Sequence, residues 1–390
     1  MERATVLVLG GPASLRHMLR LAANLSAGLS LALVCGPLPT APTAASAATP
    51  APAQQGATLG AGPKVTLEMI GQTLPTHLQH KKIDQPYTQE IIPKRSNGRI
   101  EVKLSTWAEK NLSGNEFIRL VRRGQVDIAA GTFSYLSGDV PLLDMADLAG
   151  LNPTIEQLRK VLVATQPAFN QELERLGVRQ IAAYAFPAQV FFLRQPIKGL
   201  DDVRGKKMRT FGTTLNDLVT ALGAQAVSIT FAEVYSALER GVVDGAITGT
   251  ATANTTKWFE VTSHMYTLPL AWAPAGYYVN LDWWNKLDPE VRSFLEANLA
   301  EMAEKQSELA AQITQDGIDC NAGRPTCKEG VLAKDRPMTE VKPTDADRVR
   351  LKQILEKSVI PAWVKRAGEK NGDIYNQVVA PISGVKYSRQ

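Results

Sequence analysis

The sequence feature that most constrains the fold is a helix-and-strand unit that occurs twice. Glu116-Phe-Ile-Arg-Leu-Val-Arg-Arg-Gly124-Gln-Val-Asp127 aligns without gaps on Glu233-Val-Tyr-Ser-Ala-Leu-Glu-Arg-Gly241-Val-Val-Asp244. In each copy a helical pattern ends at a glycine, a common residue just past a helix, and a strand follows. The repeat predicts two α/β lobes of related construction with a cleft between them. A chance recurrence of a frequent unit is the alternative.

Short strands alternate with helical patterns along the whole chain, which is typical of α/β proteins with parallel sheets. We expect strands at residues 64–70, 100–104, 126–130, 178–185, 207–211, 226–229, 242–249 and 270–280. Ligands bind beyond the carboxyl ends of the strands in such sheets. This rule places Gln72, Thr132, Tyr135 and Thr248 near the cleft, and Asn115 at a helix start beside it.

A long helix is predicted from Asp288, which caps it, through Ile313. Its roughly 26 residues would span about 39 Å, which is enough to lie across both lobes. We expect the chain to cross between lobes near Phe186-Pro187 and to return within residues 270–280. We also expect a helix over 155–176 with a break near Pro167, and a terminal helix from Thr344 to about Ala367 with a kink at Pro361.

One arginine lies on a strand at the centre of the chain, in Lys207-Met-Arg209-Thr-Phe211. A guanidinium held on a strand suits bidentate capture of a carboxylate. A structural ion pair is the alternative role for Arg209.

Several ordered motifs make the chain resemble a known family. They are Ile197-Lys-Gly-Leu-Asp-Asp-Val-Arg-Gly-Lys-Lys-Met-Arg209, Phe231-Ala-Glu-Val-Tyr-Ser-Ala-Leu, Val243-Asp-Gly245, Ser96-Asn-Gly-Arg-Ile-Glu-Val-Lys-Leu, Asn111-Leu-Ser-Gly-Asn-Glu and Arg123-Gly-Gln-Val-Asp-Ile. Together they resemble the dicarboxylate-type solute-binding proteins of TRAP (tripartite ATP-independent periplasmic) transporters, from about Lys64 to the C-terminus. The resemblance implies a two-lobe periplasmic binding protein fold with a long helix linking the lobes.

In that family the counterpart of Arg209 binds the ligand carboxylate. The chain departs from some sugar-acid binders of the family, because Gln189 stands where they have a second arginine and Thr248 where they have an asparagine. Aromatic residues near the predicted cleft favour a monocarboxylate with an apolar or aromatic body, although core packing explains any one of them equally well. They are Phe186, Phe211, Phe231, Trp272 and Tyr135.

The N-terminal residues predict export. Residues 1–47 have the pattern of a signal peptide, with arginines before an apolar run and Ala45-Ser-Ala47 as a cleavage site. Translation could start at Met1 or Met18, and a membrane anchor or a lipoprotein signal on Cys35 are the alternatives. Residues 48–63 predict a disordered tether. We assign 64–187 and 275–312 to lobe I, and 188–274 and 313–390 to lobe II.

The remaining cysteines, Cys320 and Cys327, flank a turn-rich segment, and such an isolated pair predicts a disulfide in an oxidising compartment. His77-x-x-His80, with Asp84 nearby, could contribute to a metal site. A hydrogen-bonding His77 at the edge of the pocket fits better, since further ligands are lacking nearby, and a solvated histidine fits better still. We expect no metal.

The composition excludes other classes of function. A net charge of +5 over 390 residues, without an aromatic-rich basic patch, argues against nucleic-acid binding. The sequence contains no phosphate-binding loop, nucleophile elbow or zinc-protease motif. We therefore expect a monomeric periplasmic receptor, not an enzyme and without a cofactor, that binds an organic acid and delivers it to a TRAP permease. A ligand sensor, or a periplasmic enzyme on the same scaffold, are the alternatives.

Overall fold

The computed structural model describes residues 57–389, which form two β-sheets surrounded by helices. The predicted signal peptide and its cleavage site near Ala47 lie outside the described residues. Residues 57–63, predicted as part of a disordered tether, belong to the fold instead. Leu59 is fully buried in the core, and its N–H donates to the Arg95 carbonyl at 3.0 Å. Asn97 and Arg99 also donate to the carbonyl oxygens of Leu59 and Pro63, so buried apolar and backbone contacts together hold this segment.

The predicted strands occur close to their expected positions. The strands of the structure are β1 Val65–Ile70, β2 Ile100–Ser105, β3 Ile128–Thr132, β4 Val178–Tyr184, β5 Gln189–Leu193, β6 Lys207–Thr210, β7 Gln225–Ser228, β8 Gly245–Gly249, β9 His264–Ala271, β10 Ala275–Asn280 and β11 Thr339–Val341. Three of them were not predicted by the sequence pattern: β5, β9 and β11. The first sheet has the order β2-β1-β3-β10-β4, and the second has the order β11-β9-β5-β8-β6-β7. The predicted α/β architecture is confirmed.

The sheets are mixed, where the sequence pattern predicts parallel ones. The chain passes from the first sheet to the second between β4 and β5, and returns between β9 and β10. In each sheet the strand that arrives from the other sheet runs antiparallel to both of its neighbours: β10 to β3 and β4, and β5 to β8 and β9. The other strand pairs are parallel. The two connections run in opposite directions, because the chain leaves the first sheet through the one between β4 and β5 and returns to it through the one between β9 and β10.

Helices cover the faces of both sheets. They are α1 Ile92–Arg95, α2 Glu116–Arg122, α3 Phe133–Leu136, α4 Ile155–Glu174, α5 Thr213–Ala221, α6 Val234–Glu239, α7 Thr250–Thr255, α8 Leu281–Lys286, α9 Pro289–Asn321, α10 Asp345–Ile354, α11 Ile360–Ala367, α12 Glu369–Val378 and α13 Ala380–Ser383. π-helical turns occur at His80–Asp84, Tyr87–Ile91 and Leu355–Val359, and 3₁₀ turns at Pro141–Ala146, Leu200–Val203, Phe231–Glu233 and Trp258–Glu260. Between residues 57 and 389, none of these helices combines the length and apolar character of a membrane span.

Three helices differ from their predicted forms. α4 runs without interruption past Pro167, so the predicted break is wrong. Pro167 has no N–H to donate to the carbonyl of Val163, but Val163 is exposed, so water can hydrate that carbonyl. α9 has 33 residues and continues well beyond Ile313. The terminal helix is capped by Thr344 as predicted, and the irregularity before Pro361 takes the form of the π-helical turn 355–359.

The predicted disulfide is confirmed, since Cys320 at the end of α9 is bonded to Cys327. Asp316, one turn earlier, accepts hydrogen bonds from the N–H groups of Lys328, Glu329 and Gly330 at 2.7–3.1 Å. The turn-rich segment is therefore held to α9 by both covalent and polar contacts.

Candidate functional site

Arg209 lies on β6, next to the edge strand β7 of the second sheet, and the fold buries it almost completely. Its side chain is 1% exposed. Nε donates to the carbonyl oxygen of Ile229 and Nη1 to that of Ile247, both at 3.0 Å. Because β7, which ends just before Ile229, and β8, which contains Ile247, flank β6, the sheet itself orients the guanidinium.

Two phenylalanines hold the guanidinium on its other sides. Its central carbon lies 5.4 Å from the centre of the Phe211 ring and 5.9 Å from that of Phe231, within the range of cation–π attraction. The Tyr135 hydroxyl, from α3 beside the first sheet, also interacts with Arg209. The cation is therefore enclosed by residues that follow strands in both sheets.

No carboxylate among residues 57–389 forms an ion pair with Arg209. Burial lowers the pKa of the guanidinium to about 10, which still leaves it charged at neutral pH. A buried charge without a counter-ion is destabilising by several kcal/mol, so such a residue marks a place for an anion. The structural ion pair that was the alternative for Arg209 is absent from the described part of the chain.

His77 packs against the same Phe231 ring as Arg209. The centres of the His77 and Phe231 rings are 5.9 Å apart, and Phe186 contacts the imidazole from another side at 6.4 Å. Nδ1 lies 3.4 Å from the Thr73 hydroxyl, whereas Nε2 is buried without a hydrogen-bond partner among the described residues. Burial, and secondarily the nearby His80, lower the pKa of His77 to about 4, so the imidazole is neutral at pH 7.

Gln72 forms part of a polar layer next to His77. Its Nε2 donates to the Tyr184 hydroxyl at 2.9 Å, and its Oε1 is buried with no partner in the described chain. Asp84 accepts from the Gln72 backbone N–H at 3.3 Å and from Gln306 of α9 at 2.6 Å. This layer connects the first sheet to α9. Sequence reasoning missed Tyr184 and Gln306, which carry no local motif.

The suggested metal ligands His77, His80 and Asp84 make other contacts. His80 Nδ1 lies 3.6 Å from Asp84, while His77 faces the aromatic rings. The described residues contain no group of three side chains placed to hold a metal ion.

Thr248 lies on β8, next to the strand of Arg209, and Gln189 lies on β5, one strand further away. Gln189 pairs with Gly249 and Val190 with Thr248 across β5 and β8, and both polar side chains are buried. Gln189 Nε2 donates to the Pro187 carbonyl at 2.8 Å, within the first connection between the sheets. These residues border the site beside Ile247.

Three other predicted residues form hydrogen bonds with groups other than Arg209. Thr132 Oγ1 is 3.1 Å from the hydroxyl of Ser134. Asn115 donates to Asp139 at 3.3 Å, and the Trp272 indole donates to the Asn152 carbonyl at 2.9 Å. A role of these residues in ligand binding stays a prediction.

The two halves of the molecule are closed on each other. Thr213, at the start of α5, donates to Asp144 at 2.6 Å. A Cβ atom on Gly212 would lie only 2.9 Å from the Cβ of Ser134, so glycine permits this close approach. A cavity of about 20 Å³, enough for about one water molecule, remains between these residues, Phe211 and Asp147.

Comparisons with known proteins identify the family and the fold. Residues 71–319 match the model of the bacterial extracellular solute-binding proteins, family 7. The chain is 26% identical over 271 residues to the C4-dicarboxylate-binding periplasmic protein DctP of Rhodobacter capsulatus, covering 67% of this chain and 81% of that protein. It is 25% identical to the 2,3-diketo-L-gulonate-binding periplasmic protein of Escherichia coli K12, covering 64% and 75%.

Among solved structures, the fold is similar to that of a Bordetella pertussis extracytoplasmic solute receptor binding pyroglutamic acid. The TM-score is 0.70 at 19% identity, with 82% of this chain and 99% of that chain covered. The family match extends over more than half of the chain and includes β2 to β10 and most of α9. The chain therefore belongs to family 7 of the bacterial extracellular solute-binding proteins, the receptors of TRAP transporters.

Proposed function

We propose that this protein is a periplasmic receptor that closes two lobes around an organic acid, whose carboxylate pairs with Arg209, and delivers it to a membrane TRAP permease. The observation that carries this proposal is the buried guanidinium of Arg209, which has no carboxylate partner among residues 57–389. Relatives and structural neighbours bind carboxylates, including C4-dicarboxylates and pyroglutamic acid. The receptor acts as a monomer and catalyses no reaction.

The lobes are those assigned from the sequence, 64–187 with 275–312 and 188–274 with 313–390. Two short connections and α9 join them, which suits a hinge. Closure removes water from the ion pair between Arg209 and the ligand, and attraction between charges is stronger where water is excluded. Phe211 and Phe231 cover the guanidinium in the closed form.

The ligand can be identified by mass spectrometry of small molecules released from the purified, denatured protein. A calorimetric titration with that acid then tests the site. Arg209→Ala is expected to weaken binding by roughly 3–5 kcal/mol, because the ligand carboxylate would be buried without compensation. Arg209→Lys should restore only part of the affinity, since an ammonium group lacks the planar fork of donors.

Arg99 offers a matched control. It is also buried, but it pairs with Glu290 at 3.3 Å and donates to the Pro63 carbonyl at 3.1 Å, far from Arg209 in the fold. Arg99→Ala should lower the melting temperature of the ligand-free protein and leave the affinity of the folded protein unchanged. Arg209→Ala should weaken ligand binding and leave the melting temperature of the ligand-free protein unchanged. Near-wild-type affinity in Arg209→Ala would show that the carboxylate binds elsewhere.

A further inference from the structure

The closed cleft offers a ligand only one buried positive charge. Among residues 57–389, Arg99 and Arg209 are the buried arginines, and no lysine is buried. Arg99 is occupied by Glu290 and the Pro63 carbonyl. A ligand enclosed between the lobes can therefore neutralise one carboxylate at Arg209, and a second carboxylate would find no buried cation.

The polar groups at the other side of the Phe231 ring are neutral. His77 and Gln72 are 5% and 2% exposed, and each has a buried atom without a partner in the described structure: Nε2 of His77 and Oε1 of Gln72. The amide oxygen can only accept a hydrogen bond. With its pKa lowered to about 4 by burial, His77 is uncharged at pH 7 and supplies a second neutral hydrogen-bonding group.

A series of side-chain contacts connects these groups to one another. The Phe231 ring contacts both Arg209 and His77, each at 5.9 Å. Phe186 packs on His77 and on Tyr184, the hydrogen-bond partner of Gln72. A molecule that reaches from the guanidinium to the imidazole would thus pass along aromatic rings and end at Gln72 and His77.

We propose, on the basis of the function proposed above, that the ligand is a monocarboxylate whose other end carries a neutral hydrogen-bond donor, such as a hydroxyl or amide N–H, that is recognised by His77 and Gln72. A carboxylate at this end would face the Gln72 oxygen and bring a second charge out of water without a partner, which is strongly unfavourable. A purely apolar end would leave the two buried polar atoms unsatisfied. The protein thus differs in specificity from its C4-dicarboxylate-binding relative.

Pairs of acids that differ only at the far end test this specificity. 4-Hydroxybutyrate, butyrate and succinate share a four-carbon chain, and 5-hydroxypentanoate and glutarate provide a five-carbon pair. Calorimetric titration of the full-length mature protein is expected to show at least a tenfold preference for 4-hydroxybutyrate over succinate and for 5-hydroxypentanoate over glutarate. Butyrate should bind less tightly than 4-hydroxybutyrate.

Two histidine variants locate the recognition of the far end. His77→Phe should reduce the preference for 4-hydroxybutyrate over butyrate to nearly one, while His77→Gln, which keeps a neutral hydrogen-bonding group, should retain most of it. His264 lies at the start of β9 beside Ser263, and His264→Phe serves as the control that leaves the preference unchanged.

The possible failures are distinguishable. Succinate or glutarate binding as tightly as its partner, with loss of affinity in Arg209→Ala, would overturn this inference and leave the proposed function standing. A preference that survives in His77→Phe would also overturn it. Failure of all five acids to bind would count against this inference. It would count against the proposed function as well if the acid recovered from the purified protein binds independently of Arg209.

Discussion

At the scale of single residues, the carboxylate of Asp147 holds the second connection between the sheets. Asp147 accepts hydrogen bonds from the backbone N–H groups of Trp272 and Ala273 at 2.8 and 2.9 Å, and from Asn152 at 3.2 Å. Ala273 has φ +43°, a left-handed conformation that residues with a Cβ atom rarely adopt. Asp147 therefore stabilises the strained backbone of the second connection between the sheets.

The titration of Asp147 should be visible in the pH dependence of stability. Burial raises its pKa from the usual value near 3.8 to about 7, and its hydrogen bonds oppose this shift only in part. Because the folded state holds the proton more tightly than the unfolded state, this carboxyl makes the protein less stable as pH rises from about 4 to about 7. Asp147→Asn lacks this contribution.

The melting temperature of Asp147→Asn relative to wild type should thus rise between about pH 5 and about pH 8. The exposed Asp335 provides the control, since Asp335→Asn should leave the difference from wild type constant over this range. A difference that is equally flat for Asp147→Asn would mean that the carboxyl titrates normally.

At the scale of secondary-structure elements, α9 holds the two halves of the molecule. Ser307 Oγ accepts from the N–H of Ala185, and Thr314 Oγ1 accepts from that of Ala188, both at 3.1 Å. The Thr250 hydroxyl donates to the Thr314 carbonyl at 2.7 Å. The helix therefore bonds to the first connection between the sheets on both sides of Phe186-Pro187.

Gly317 allows α9 to lie directly against α7. A Cβ atom at this position would lie 2.4 Å from the Ala251 nitrogen and 2.6 Å from the Thr250 carbonyl carbon, which are backbone atoms that cannot move independently. Gly317→Ala should destabilise the protein by roughly 1–3 kcal/mol through overpacking. Helix propensity alone would predict stabilisation of up to about 1 kcal/mol.

Urea unfolding measures this effect, with the exposed Ala300 of the same helix as reference. Ala300→Gly should lower the free energy of unfolding by about 1 kcal/mol, as helix propensity predicts. If Gly317→Ala proved more stable than wild type, α7 and α9 would have to be able to move apart without a loss of stability.

At the scale of the whole molecule, the proposed function predicts that the buried guanidinium links ligand binding to lobe closure. Without a ligand, closing the lobes removes Arg209 from water and provides no counter-ion, which disfavours the closed form. The ligand supplies that counter-ion and so favours closure. The contacts of Thr213 with Asp144 and of Gly212 with Ser134 are available only in the closed arrangement.

Small-angle X-ray scattering should show a larger radius of gyration for the ligand-free wild type than for the protein saturated with its acid. Arg209→Met removes the charge and keeps an apolar side chain of similar length. The ligand-free variant should therefore scatter more like the closed form. Identical scattering of the ligand-free and saturated wild type would contradict this coupling.

Local patterns of the sequence were sufficient for much of the architecture. Periodicity and glycine positions predicted the strand containing Arg209, α2 and α5, since each depends on residues within a few positions of one another. The capping box of Thr344 and Asp347 and the bond between Cys320 and Cys327 are equally local. The resemblance of ordered motifs to TRAP receptors supplied the family, which the comparison over residues 71–319 confirms.

The tertiary structure alone decided which groups surround Arg209. Its hydrogen-bond partners are the carbonyl oxygens of Ile229 and Ile247, and a backbone carbonyl leaves no mark in a sequence. Gln72 meets Tyr184, and Asp147 meets Trp272, more than 100 residues away along the chain in both cases. The neutral state of His77 likewise follows from burial by aromatic rings that come from distant segments. Such contacts depend on how the sheets pack, because packing, not sequence distance, determines which side chains lose their water.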